Sequence, residues 1–167
     1  IIWKPVAEDA ARLALLESGQ ADLIANVPPH ETDRLRGNST VRLEEARSAR
    51  IIFLLLDPAH KPLDNKLVRQ AIHYALDKDA LIKYVLDGKA YRLDGILGPH
   101  GFGEDPSYKP YSYNPQKAKE LLTAAGFANG FEIDFYTSTG RYTKDREIAQ
   151  AIAGQLAKVG IKTRFHT

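Results

Sequence analysis

Cysteine and methionine are both absent from the 167 residues. The first absence excludes disulfides, thiolate-held zinc and cysteine nucleophiles, and it leaves the compartment open, because a chain without thiols suits either side of a membrane. An excess of one charge is missing too: 23 basic residues stand against 21 acidic ones, a formal +2, and the basic residues never gather into a block. Such a balance leaves no electrostatic footprint for nucleic acid and reads as a solvated surface. Long hydrophobic runs are also lacking. The longest, from Ile51 to Leu56, is far too short to span a bilayer and suits a buried strand, so neither a membrane-spanning segment nor a signal peptide is expected. Catalytic signatures are scarce as well. There is no G-x-S-x-G, no H-E-x-x-H and no phosphate loop, and Gly98, Gly101 and Gly103 are interrupted by Pro99 and His100, which spoils a dinucleotide fingerprint. Asp77 and Asp79 lie two apart at a helix start, where capping explains them. The histidines His30, His60, His73, His100 and His166 are widely dispersed. No metal site, no cofactor and no enzymatic activity is therefore expected.

What is present suffices for one domain with a core of its own, given 44% hydrophobic residues and no internal repeat or low-complexity run. The segment LDNKLVRQAIHYALDKD, residues 63–79, carries a helix start, an apolar face and a helix restart. Asp64 is the expected N-cap, and Leu67, Val68, Ala71, Ile72, Ala75 and Leu76 share one face. Asp77 then caps a second helix, lined by Ala80, Leu81, Ile82, Val85 and Leu86 and ended by Gly88. A helix is predicted over 7–17, a short one opened by Pro28 and Pro29 through Leu35, and another from the Asn114-Pro115 start to Gly126. The last helix is expected over 144–159. Strands are predicted at 1–4, 22–26, 41–45, 50–56, 131–136 and 161–166, the fifth from the strict alternation of Phe131, Ile133 and Phe135 with polar residues.

Strand and helix alternating in this way predict an α/β fold with a largely parallel or mixed sheet flanked by helices. Ligands of such sheets collect beyond the carboxyl ends of the strands, which directs attention to two loops. One comprises Thr137, Ser138, Thr139, Gly140, Arg141, Tyr142 and Thr143, between a strand end and a long helix. It offers hydroxyls, backbone donors and one guanidinium at a helix start, a set suited to an anion, although a solvated loop arginine is the plainer reading. The other, residues 88–113, is rich in Gly, Pro and Tyr and too long for a plain connector. Its glycines allow His100 and Phe102 to face a cleft; alternatively Tyr91, Tyr108, Tyr111 and Tyr113 simply pack the loop down.

Four stretches in order carry a resemblance. AEDAARLALLESGQADLIANVPP is followed by FLLLDPAHKPLDNKLVRQAIHYALDKDALI, then GILGPHGFGEDPSYKPYSYNPQKAKELLTAAGF, then FEIDFYTSTGRYTKDREIAQAIAGQLAKVGIKTRF. Together they resemble the family 5 extracellular solute-binding proteins, the dipeptide, oligopeptide and nickel binders that feed ABC importers. The resemblance implies a type II periplasmic-binding-protein lobe, with residues 1–167 forming one partial lobe of a two-lobed receptor whose other lobe and signal sequence lie elsewhere. It implies binding of a peptide or other small solute, closure by a hinge, docking on a membrane permease, and an exported location in the periplasm or at the cell surface, with lipid anchoring of the full-length protein as one form. Arg141 would then reach a ligand carboxylate. A solute-binding-like sensor domain of a transcription regulator is the alternative that the same resemblance allows. An isolated lobe is further expected to self-associate through the cleft face left open.

Overall fold

The computed structural model describes residues 1–46, 50–93, 95–97, 103, 105 and 107–167. In chain order its elements are α1 (Asp9–Glu17), a 3₁₀ turn at Pro29–Glu31, α2 (Thr32–Arg36), α3 (Lys66–Ala75), α4 (Lys78–Tyr84), α5 (Pro115–Ala124), β1 (Phe131–Tyr136), α6 (Asp145–Ala157) and β2 (Ile161–His166). The strands β1 and β2 run parallel, in register from Phe131 opposite Ile161 to Tyr136 opposite His166. Parallel neighbours need a crossover, and α6 supplies it, making a βαβ unit.

Side-chain caps set the starts of α3, α4 and α5. Asp77 accepts the Ala80 N–H at 2.9 Å and Asn114 accepts the Lys117 N–H at 2.9 Å, with Pro115 filling the first helical position. The α3 cap is Asn65, which accepts the Leu67 N–H at 2.9 Å, one residue later than the expected Asp64. The reason is local: Asn65 N–H closes a turn onto the Pro62 carbonyl at 3.1 Å, so Asp64 lies inside that turn and the first free cap position is the next residue. Likewise α6 starts at Asp145, since Lys144 takes a left-handed backbone (φ 57°) and enters the helix without belonging to it.

The core follows the apolar faces. Val68, Ala71, Ile72 and Ala75 of α3 meet Ala118 and Leu122 of α5, with Leu156, Val159 and Ile161 closing the cluster from the βαβ unit. Two hydrogen bonds lock the corner between α3 and α4 to α6. The Gln155 side chain accepts the Asp77 N–H at 2.7 Å and donates back to the Asp77 carbonyl at 3.2 Å, mimicking a strand pairing. At the amino end of the strands the backbone of Gly130 passes so near Gly160 that an added Cβ would sit 2.1 Å from the Gly160 carbonyl oxygen. With φ at +75° as well, position 130 has to be glycine.

The α/β architecture is as expected, but the sheet is smaller. Among the described residues no ladder forms at 1–4, 22–26, 41–45 or 50–56, and β1 and β2 are the strands present. A strand exists only when a neighbour accepts and donates its backbone bonds, and sequence alternation alone does not provide one. In the fourth of these segments Leu54 and Leu56 still pack against the core while Ile52, Phe53 and Leu55 are exposed, so only the end of the expected strand is seated, on one side. No helix among the described residues is long and apolar enough to cross a membrane.

Candidate functional site

The loop after β1 emerges at the carboxyl ends of both strands, where the Thr137 N–H extends the ladder onto the His166 carbonyl at 3.0 Å. Its shape is set by one carboxylate. Asp145 accepts from the Ser138 hydroxyl at 2.8 Å and from the backbone N–H groups of Gly140 (3.1 Å), Arg141 (3.1 Å), Tyr142 (3.2 Å) and Arg146 (2.8 Å). Burial alone would raise the Asp145 pKa, but the Ser138 hydroxyl and the surrounding N–H donors favour the anion more strongly, and the net direction is down. The helix start thus carries an anion from within the chain. The Gly140, Arg141 and Tyr142 N–H groups are committed to Asp145, and the side chains that the loop presents beside them are Arg141, Tyr142 and the exposed Thr139.

Three distant segments meet this loop. Gly140 passes beside residue 7, since a Cβ added to it would lie 3.7 Å from the Ala7 carbonyl oxygen. Arg12, on α1, donates to the Val6 carbonyl at 2.9 Å, the Ala7 carbonyl at 2.7 Å and the Asn26 carbonyl at 3.1 Å, and it is also paired with Asp9. Asn26 has a left-handed backbone (φ 57°), and its side-chain oxygen accepts from the Arg50 guanidinium at 3.3 Å. Arg50 in turn lies over the Tyr142 ring, 5.9 Å from its centroid, and Arg141 lies over the same ring at 5.3 Å. A cationic, aromatic corner is therefore assembled from four stretches of chain, with Arg12 as its internal tie. Guanidinium groups against a half-exposed ring suit a carboxylate or another planar anion.

Of the residues singled out from sequence, the structure brings together Thr137, Ser138, Thr139, Gly140, Arg141 and Tyr142 in one loop, whereas His100 and Phe102 lie outside the described residues. In the long segment before α5, Tyr111 does pack down. It stacks on His73 with centroids 5.1 Å apart, meets Tyr74 edge-on at 5.0 Å and takes a hydrogen bond from Gln70 at 3.2 Å, while Tyr91, Tyr108 and Tyr113 are exposed. Burial lowers the His73 pKa, and the nearby Lys78 charge adds to that. Sequence reading passed over Arg12, Asn26, Arg50 and Asp145. For Asp145 a signal exists, an acid in the first turn of a helix after a Ser/Thr/Gly loop; the other three are joined only by the fold.

Two further features lie apart from the corner. Asp134 receives a two-bond contact from Arg164 at 3.0 and 3.1 Å and a third from His166 at 2.8 Å, and these partners, Arg164 foremost, hold its carboxyl below the usual range. Shallow grooves lined by Lys119, Phe127, Asn129, Gly130 and Gly160 sit at the opposite end of the strands from Arg141. Among the described residues no group of three or more histidine, aspartate or glutamate side chains is placed to hold a metal ion.

Comparison with known proteins gives a consistent picture. The family model for bacterial extracellular solute-binding proteins, family 5 Middle, matches residues 1–167. The glutathione-binding protein GsiB of Escherichia coli is 35% identical over 164 residues, which are 98% of this chain and 32% of that protein. Among solved structures, the ABC transporter-associated periplasmic binding protein DppA from Helicobacter pylori, in complex with the peptide STSA, superposes with a TM-score of 0.85 at 31% identity, covering 96% of this chain and 31% of that one. MoaA of A. tumefaciens, in complex with mannopinic acid, gives a TM-score of 0.84 at 26% identity, over 96% of this chain and 32% of its own. The chain thus spans about a third of the length of the relatives it matches.

Proposed function

Because this chain belongs to the family 5 bacterial extracellular solute-binding proteins, we propose that residues 1–167 form part of the substrate-binding lobe of an ABC-importer receptor, with peptides as the solute class. The observation that carries this reading is the corner at the carboxyl ends of β1 and β2, where Arg141 and Tyr142 are presented by a loop already braced on Asp145. Bracing matters energetically: a loop ordered before binding spares the complex that entropy cost. In this reading Arg141 takes a solute carboxylate, Tyr142 offers it an apolar wall, and Ser138 and Gly140 hold the loop. The relatives are solute-binding proteins rather than enzymes, and DppA is ABC transporter-associated, which favours a transport receptor over a regulator's sensor domain.

The partners follow from the same reading. A second lobe of the full-length protein closes over the solute by a hinge, and the closed form docks on a membrane permease in the periplasm or at the cell surface, with a lipid anchor where the organism requires one. The apolar side chains left bare at Ile1, Ile2, Trp3 and Leu55 are the surface that the rest of the receptor covers, and the reason an isolated lobe self-associates.

The test is calorimetry on the full-length protein with di- and tripeptides. Charge-assisted bonds from Arg141 contribute about 1.5–3 kcal/mol, so Arg141→Ala weakens binding by about ten- to a hundredfold. Unchanged affinity would take Arg141, and with it this loop, out of the site.

A further inference from the structure

Arg12 turns its donors into the chain. Its side chain is 17% exposed and paired with Asp9, and its two terminal nitrogens donate to three main-chain carbonyls, Val6 at 2.9 Å, Ala7 at 2.7 Å and Asn26 at 3.1 Å. These carbonyls belong to two stretches, one before α1 and one before the 3₁₀ turn, that share no ladder among the described residues. The guanidinium joins them instead, because its donors point in fixed directions and reach several acceptors at once. Both stretches touch the 137–143 loop. A Cβ added to Gly140 would lie 3.7 Å from the same Ala7 oxygen that Arg12 holds. The Asn26 side chain accepts from Arg50, whose guanidinium lies over the Tyr142 ring. The loop is thus braced from within by Asp145, through Ser138 and the Gly140, Arg141 and Tyr142 N–H groups, and bounded by backbone that Arg12 fixes.

We propose that Arg12 is a positioning residue of this site: it fixes the Ala7 and Asn26 backbone against which the 137–143 loop is set, and so holds Arg141 in the geometry that receives a solute carboxylate. Arg12 does not touch the solute, since its own charge is paired with Asp9 and its forks are taken by carbonyls. Its effect is on order. A loop whose neighbours are fixed before binding loses little freedom when the solute arrives, and a loop whose neighbours move loses that freedom in the binding step. This inference rests on the reading of the 137–143 loop as solute-binding, and it adds to that reading a residue from the other end of the chain.

The experiment is calorimetry on the full-length protein with Ala-Glu and Ala-Ala-Ala, arranged as a double-mutant cycle between positions 12 and 141. Arg12→Gln is expected to weaken both peptides about tenfold, and Arg12→Lys, which keeps the charge beside Asp9 but lacks the fork, about threefold. Added to Arg141→Ala, Arg12→Gln weakens binding by less than about a further twofold, because the placement of the loop matters little once the group it presents is gone. A simple loss of fold stability would not show that coupling. Full additivity of the two substitutions means that Arg12 acts by another route and overturns the proposal. Wild-type affinity in Arg12→Gln, with Arg141→Ala still weakening both peptides, overturns it too and leaves the loop reading standing. Affinities that Arg141→Ala does not change, or a wild type that binds neither peptide, overturn the loop reading and this inference together. Thermal melts accompany each variant. If Arg12→Gln does not fold, Arg12→Lys carries the cycle, and wild-type affinity in that variant overturns the role of the fork.

Discussion

The stretch from residue 63 onward and the stretch before it obey the same chemistry with different results. In the later one, α3, α5, α6 and β2 bury Val68, Ala71, Ile72, Leu122, Leu156 and Ile161 almost completely against one another. In the earlier one, buried residues are few, chiefly Leu13, Pro29, Thr32 and Leu35, while Ile1, Ile2, Trp3, Leu23, Phe53 and Leu55 are largely exposed. An apolar residue stabilises a fold only when something removes it from water. The later stretch builds a core of its own, although Ile96, Tyr84 and Tyr136 stay exposed on it, whereas the earlier one buries little and leaves most of its large apolar side chains in water. The candidate site sits where the two stretches touch, with Arg12, Asn26 and Arg50 from one side and the 137–143 loop from the other.

The sharpest way to break this contrast is to compare deletions on its two sides. Leu122→Ala removes a side chain that is 1% exposed from the centre of the cluster and should cost about 2–5 kcal/mol, read as a fall in the urea midpoint. Gly130→Ala attacks the same stretch through its backbone. The clash with Gly160 and the positive φ together should cost about 2–4 kcal/mol, and a melt unchanged by this substitution would show that the strand entry is looser than described. Gln155→Ala strands the Asp77 peptide and should cost about 1–3 kcal/mol, with hydrogen exchange accelerating at the α3–α4 corner ahead of the rest of the core.

Asp145→Asn falls lower on the scale in stability, about 1–2 kcal/mol, because the carboxylate is partly solvated. Its value lies in pH dependence. A carboxyl whose folded pKa is depressed stabilises the protein fully above its unfolded value, and that contribution is lost as pH falls through the folded value. Wild type should therefore lose stability on acidification below about pH 4 more steeply than Asp145→Asn does. Parallel curves would remove the carboxylate as the loop's organiser. The smallest effect is expected at Leu55→Ser, within about 0.5 kcal/mol, since the side chain is 79% exposed. Light scattering on residues 1–167 should nevertheless show less self-association in that variant than in the parent chain.

What the sequence made legible follows the same division. Asn114-Pro115, Asp77 and the alternation of Phe131, Ile133 and Phe135 are complete within a few residues, so their elements can be read locally. The cap at Asn65 in place of Asp64 shows the resolution of such reading, because a turn closed by one hydrogen bond moved the start by one position. Segments 1–4, 22–26, 41–45 and 50–56 have apolar residues of the right kind, but a ladder partner is not a local property. The same limit applied to the site. Arg141 and Tyr142 were visible as a loop after a strand, whereas Arg50 became relevant only when folding set it over Tyr142.

In the proposed receptor the 137–143 loop takes a solute carboxylate through Arg141. A crystal structure of the full-length protein with Ala-Glu tests it most directly. A ligand carboxylate is expected within about 3 Å of the Arg141 guanidinium, with the Asp145 bonds to Gly140, Arg141 and Tyr142 intact. A bound peptide whose carboxylates are both held elsewhere, with Arg141 turned to solvent, would contradict it.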